Sequence, residues 1–383
     1  MNEKMNEQKS DKEGRKKKLK LDPVMCAAYI LAAVSAFFVR PDKGYLNYID
    51  WRSLGILWGL MVIIRGFREN GIFEKIASVL LKKVDNGFKL SIVLIFLCFF
   101  GSMFITNDVA LITFVPFAIM ILHSCKREDL TIYVVILQTI AANLGSMMTP
   151  IGNPQNLYLF GIMHIGIGQF MLILLPYTIV TAVLLLICCL LLPGRRDKLE
   201  QHESIAVTKH FGTKTQIIIY TILFIVAVLS VLEVVPWYVM VILVPLIVGG
   251  MDFKILLGAD YILLLTFIGF FIFTGNIGRV DKISELLSHI VAGREFAAGI
   301  ISSQLISNVP STLLINGFAN DLSELLKGVN IGGLGTLIAS MASLISYKGY
   351  TNACPDKKGR YLLMFTAFNV GFLIVMILIH FVF

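Results

Sequence analysis

Long apolar runs recur along nearly the whole chain, and they limit what it can fold into. They fall at 24–39, 53–64, 90–106, 109–122, 132–149, 170–192, 216–235, 237–250, 261–277, 296–306, 311–318, 331–346 and 361–383. A transmembrane helix needs about 20 predominantly apolar residues. With 57% hydrophobic and 15% charged residues in 383, the chain has material for about ten such segments and none for a soluble catalytic domain. The expected fold is an all-α polytopic membrane protein embedded in a lipid bilayer.

Several function classes drop out. There is no Walker A lysine loop for ATP-driven pumping. The six histidines are scattered, no zinc-ligand spacing occurs, and the six cysteines contain no CxxC pair, so no cofactor is expected. The net charge of +8 comes from basic residues flanking membrane spans rather than from a nucleic-acid surface, and no nucleic-acid partner is expected. Residues 1–22 carry eight Lys/Arg, including GRKKKLK at 14–20, and read as a cytoplasmic basic tail. A polar linker at 193–214, also assigned to the cytoplasm, divides the chain into membrane repeats at 23–192 and 215–383.

Those halves resemble each other in order. NGIFEKIASVLL (70–81) matches IGRVDKISELLS (277–288), and FITNDVALITF (104–114) matches LISNVPSTLLI (305–315), pairing Asn107 with Asn308. ANLGSMMTPIGNPQNL (142–157) then matches VNIGGLGTLIASMASL (329–344), pairing Asn143, Gly145 and Thr149 with Asn330, Gly332 and Thr336. Basic residues favour opposite sides of corresponding loops: six lie in 65–89 against three in 279–294, and none in 158–170 against four in 348–360. The repeats are therefore expected to be inverted. With the N-terminus in the cytoplasm, 26 basic residues fall inside and 7 outside, in keeping with the positive-inside rule.

Each half has two interruptions in apolar sequence, at 106–108 and 149–156, then at 307–310 and 336–343. Breaking a helix in lipid frees backbone groups that need protein or a wet cavity. Paired interruptions in two halves are the strongest sequence pointer to a transporter's binding site. Freed carbonyls and Asn, Ser or Thr oxygens suit a small cation, and positive helix ends suit an anion. Asp108 lies between two apolar runs at such a break, and an intramembrane carboxylate is a functional candidate by default. It can ligate sodium or carry a proton; the neighbouring oxygens of Thr106 and Asn107 favour the cation shell.

YIDWRSLGILWGLMVIIRGFRENGIFEKIA (48–77), FITNDVALITFVPF and NLGSMMTPIGNPQN resemble the ion transporter superfamily. That group includes divalent-anion:sodium symporters, citrate carriers, arsenite-efflux permeases and certain sodium/proton antiporters. The resemblance implies a re-entrant hairpin and a broken helix in each repeat. It also implies a secondary active transporter for a small inorganic or organic anion, coupled to sodium or protons, and a homodimer in the cytoplasmic membrane. It places Thr106, Asn107 and Asp108 at one hairpin tip and Ser307, Asn308 and Val309 at the other, with possible sodium ligands at Asn107, Asp108 and Asn308. Asn143, Thr149, Gly152 and Asn156 then belong to the first broken helix, and Asn330, Thr336 and Ser343 to the second. Asp108 and Val309 stand where dicarboxylate carriers have threonine, and SMAS (340–343) replaces their proline-asparagine element. NIGGLGTLIASMASLI is closer to the arsenite-permease pattern. A channel and an intramembrane enzyme are the other classes weighed: NPQN occurs in one half alone, and no catalytic grouping stands out.

Overall fold

The computed structural model describes residues 22–82, 84–194, 196–199 and 212–382. The basic tail and most of the 193–214 linker lie outside the described residues. Among the described residues the chain is helical, with one isolated β-bridge between Asn86 and Lys198. The longer helices are α1 (Pro23–Phe38), α2 (Trp51–Glu69), α3 (Ile72–Leu81), α4 (Gly87–Ile105), α5 (Asn107–Ser124), α6 (Glu128–Ser146), α7 (Pro154–Met163), α8 (Ile167–Leu191) and α9 (Lys214–Val231). They continue with α10 (Trp237–Met251), α11 (Tyr261–Gly278), α12 (Asp281–Val291), α13 (Glu295–Ile306), α14 (Asn308–Ile315), α15 (Leu322–Ile331), α16 (Met341–Ala353) and α17 (Lys358–His380). The protein is a polytopic helical membrane protein. Among the described residues, seven helices, α4, α5, α6, α8, α9, α11 and α17, are long and apolar enough to cross a bilayer.

Many helix starts follow from local chemistry. Asp22, Asp50, Asn86, Asp260 and Asp321 each accept a backbone N–H of the first turn, and Thr213 with Gln216 forms a reciprocal capping box. The same rules move the breaks from where composition alone puts them. Asn153 caps α7 and Pro154 opens it, so Pro154 to Asn156 are helical rather than broken. Pro at a first helical turn costs nothing, since its missing N–H would be unpaired there. Pro310 likewise sits in the first turn of α14, which shrinks the second tip to Ser307. The interruption expected at 336–343 lies between the end of α15 at Ile331 and the start of α16 at Met341.

Two hairpins follow. Thr106 alone joins α4 to α5, and Ser307 alone joins α13 to α14. The first has arms of 19 and 18 residues and the second of 12 and 8. The Thr106 tip docks at the gap between α6 and α7, where the Asn107 N–H donates to the Gly152 carbonyl. Beyond that level α7 runs ten residues further, about 15 Å at 1.5 Å per residue.

The halves exchange helices. α1 packs on α11 while α10 packs on α2; α16 packs on α5 while α14 packs on α7. Helix α6 is the innermost, with 89% of its apolar window buried, against 22% for α17. The first broken helix therefore forms the centre of the protein, while α8, α9 and α17 turn apolar faces outward.

Candidate transport site

The two tips share one backbone geometry. Thr106 has φ 69° and ψ 151°, and Ser307 has φ 74° and ψ 152°. Positive φ is a strained state for residues with a Cβ, above all a β-branched one, and such strain collects at functional sites. Neither hydroxyl caps the helix that follows it. The next residue is Asn in both. The Asn107 N–H donates to the Gly152 carbonyl at 3.1 Å, and the Asn308 N–H to the Ala339 carbonyl at 3.0 Å. The Asn107 side-chain oxygen accepts from the Asp108 N–H, and that of Asn308 from the Val309 N–H, both at 3.0 Å.

The breaks are pinned to the hairpins in parallel ways. The Thr149 hydroxyl donates to the Met103 carbonyl, and the Thr336 hydroxyl to the Gln304 carbonyl at 3.5 Å. A Cβ on Gly145 would stand 2.8 Å from Ser102 Oγ, and one on Gly332 2.8 Å from Ser303 Oγ, so glycine is what lets each hairpin approach its helix. Gly152 is more confined, since a Cβ there would stand 2.0 Å from the Ser146 carbonyl oxygen.

Between the breaks lies a buried amide network in which each half completes the other. Asn143 Oδ1 accepts from Asn107 Nδ2 at 3.1 Å and from Ser340 Oγ at 3.0 Å. Asn143 Nδ2 donates to Ser343 Oγ and to the Gly333 carbonyl, both at 3.4 Å. Asn330 Oδ1 accepts from Asn153 Nδ2 at 3.0 Å, and Asn330 Nδ2 donates to Asn156 Oδ1 at 2.7 Å. Asn156 Nδ2 also holds the carbonyls of Met147 and Thr149. Extending the repeat spacing makes Asn153 and Asn156 the counterparts of Ser340 and Ser343. Each interrupted helix therefore uses its asparagine to hold the start of the other half's second segment. All these asparagines are at most 5% exposed. A buried polar group left unpaired costs about 1–3 kcal/mol, so the network fixes the two breaks against each other.

Two oxygens at the tips are not absorbed. Asp108 Oδ1 and Ser307 Oγ are buried and have no hydrogen-bond partner. Beside the first tip, Thr106, Val109 and Asn153 meet Leu60 and Ile64 of α2 around a cavity of about 20 Å³, room for one water-sized body. A larger cavity of about 670 Å³ lies behind the first break among Phe99, Met103, Met148, Pro150, Phe224 and Val228. Its wall is apolar and offers a charged solute nothing.

The sequence-derived residues are thus largely brought together. Asn107, Asn143 and Ser343 form one chain of contacts and Asn156 with Asn330 another, while Thr149, Thr336 and Gly152 lock tips to breaks. Asn308 is not bonded to Asn107; Asn143 and Gly333 stand between them, with Asn308 Nδ2 3.0 Å from where a Gly333 Cβ would lie. Asn153, Ser340 and Gln304 were missed. Asn153 was legible as Asn before Pro at a helix start. Gln304, whose amide holds the Gly332 and Leu334 carbonyls and accepts from the Thr336 N–H, carries no local signal. Among the other ionisable residues, Arg65 donates to the Gly258 carbonyl at 2.7 Å, Glu233 pairs with Arg52 at 2.9 Å, Asp260 caps α11, and His164 ends α7.

A many-helix membrane protein whose interrupted helices meet in a buried polar junction is built as a transporter. The profile of the citrate transporter family matches residues 16–327, and the chain belongs to that family. It is 33% identical over 335 residues to an uncharacterised transporter of Methanocaldococcus jannaschii, covering 86% of this chain and 89% of that one. It is 28% identical over 325 residues to the inner membrane protein YbiR of Escherichia coli, covering 83% and 86%. A Dictyostelium discoideum transporter named arsB is 26% identical over 125 residues, 32% of this chain and 21% of that one. The protein is a membrane transporter.

Proposed function

We propose that the protein is a secondary active transporter that carries a small anion, carboxylate or oxyanion, through the junction of the two interrupted helices. The observation that carries this reading is that junction: α5, α7, α14 and α16 all begin at it. Helix N-termini favour negative charge. The side chains bonded at the breaks are amides and hydroxyls, so positive helix ends and a bound cation would supply the counter-charge. Asp108 holds that coupling cation in this proposal, with sodium rather than a proton as the ion. Its unpaired buried oxygen supports the assignment.

The same proposal inserts the repeats 23–192 and 215–383 with opposite orientation in the cytoplasmic membrane, leaving the tail and the 193–214 linker in the cytoplasm. The exchanged contacts between halves and the 26 to 7 division of basic residues support it. Transport moves the part carrying tips and breaks against the remaining helices. Two copies associate through those remaining helices.

Counterflow in proteoliposomes with citrate, phosphate and arsenite, each with and without a sodium gradient, tests the reading. The expected result is saturable, sodium-stimulated uptake of an anion that Asn107→Ala or Asn308→Ala abolishes with membrane insertion intact. Normal transport by both variants removes the junction as the site. Stimulation by a pH gradient alone replaces sodium with a proton, and saturable arsenite exchange without anion uptake replaces the substrate class.

A further inference from the structure

The amide network satisfies its asparagines but leaves out the one glutamine in its midst. Gln155 lies between Asn153 and Asn156 in the first turn of α7 and is 1% exposed, yet neither its Oε1 nor its Nε2 has a hydrogen-bond partner. Successive helix residues point about 100° apart, which fixes its direction. Asn156 faces Asn330 on α15, and Tyr158 faces Asn316, just past α14, at 2.7 Å. Gln155 falls between those two faces, toward the seam where α14 and α15 both pack on α7. The counterpart of Gln155 in the second half is Ala342, so a buried amide here is no requirement of the repeat.

Resting on the transport reading above, we propose that Gln155 reads the substrate. Its Nε2 donates to an acid oxygen and its Oε1 accepts from a hydroxyl, so the preferred solute is a small acid carrying both. A substrate lacking the hydroxyl leaves Oε1 buried and unpaired, and sites built to bond a hydroxyl reject analogues without it strongly.

Gln155→Met keeps length and volume and removes both polar atoms, and two measurements follow. The ligand-free purified protein should melt higher, by roughly 2 °C or more, because an amide unpaired in the empty state is gone; a lower melting temperature means the amide is satisfied within the fold and overturns the proposal. Uptake should then be compared for citrate and for tricarballylate, which is citrate without its hydroxyl. Wild type should prefer citrate about tenfold or more in KM, as expected for one hydrogen bond, and Gln155→Met should lose that preference. A preference kept intact by the variant overturns the proposal. If wild type shows no saturable flux of citrate, tricarballylate, phosphate or arsenite, the transport reading itself fails, while the melting comparison still decides whether Gln155 is paired within the fold.

Discussion

The two hairpin tips have the same backbone and different chemistry. Thr106 and Ser307 differ by 5° in φ and 1° in ψ, each is followed by Asn, and each Asn donates its N–H to the break of its own half. The third residue then diverges to Asp108 in the first tip and Val309 in the second. The breaks diverge in the same direction, with Gln155 in the first half where the second has Ala342. Symmetry thus builds the cradle, and the first half alone carries the charged and amide groups left free inside it. The two halves thus present helix ends of like backbone that carry different side chains.

Four measurements can break or sharpen that contrast. The largest effect should come from Gly152→Ala, which drives a Cβ to 2.0 Å from the Ser146 carbonyl oxygen. Overpacking against fixed backbone should cost about 3 kcal/mol, read as loss of the monodisperse peak after detergent extraction. Its mirror Ala339→Gly should cost about 1 kcal/mol. Equal losses would mean that the first break is no tighter than the second. Next is Asp108→Asn, which keeps the shape and removes the charge. The sodium needed for half-maximal uptake should rise about 100-fold, the equivalent of about 2.7 kcal/mol, and unchanged sodium dependence would take the cation away from this tip.

Asn330→Ala should follow, at about 2 kcal/mol, because Asn153 and Asn156 both lose a buried partner. A double-mutant cycle of Asn330 and Asn156 should give a coupling of about 1 kcal/mol, and strict additivity would dissolve the network. The smallest effect belongs to Val309→Thr, which introduces a hydroxyl at the tip that lacks a polar third residue. It should change uptake by less than about twofold, within the range of ordinary substitutions. A tenfold change in sodium requirement would instead give the second tip a cation of its own.

Much of this was legible in the sequence, because it rests on local physics. Apolar runs in lipid become helices, since only a helix satisfies its own backbone there. The interruptions near 106, 149, 307 and 336 were visible as polar or glycine residues within such runs, although capping by Asn153 and the first-turn tolerance of Pro154 and Pro310 shifted their edges. The matching segments paired Asn107 with Asn308, and both follow tips of the same backbone geometry; Asp108 stood out as a carboxylate at a break. Only the tertiary structure decided how the breaks interlock. Asn143 finds Ser343, and Asn330 finds Asn156, across 200 and 174 residues. No local signal encodes such a pair, because an amide in an apolar interior takes whichever partner the packing brings. The same packing decided what stays unpaired: the network satisfies the asparagines that the sequence flags and leaves one oxygen of Asp108, the Ser307 hydroxyl and the Gln155 amide free. Burial without a partner is a property of the surroundings, and a one-dimensional string does not contain them.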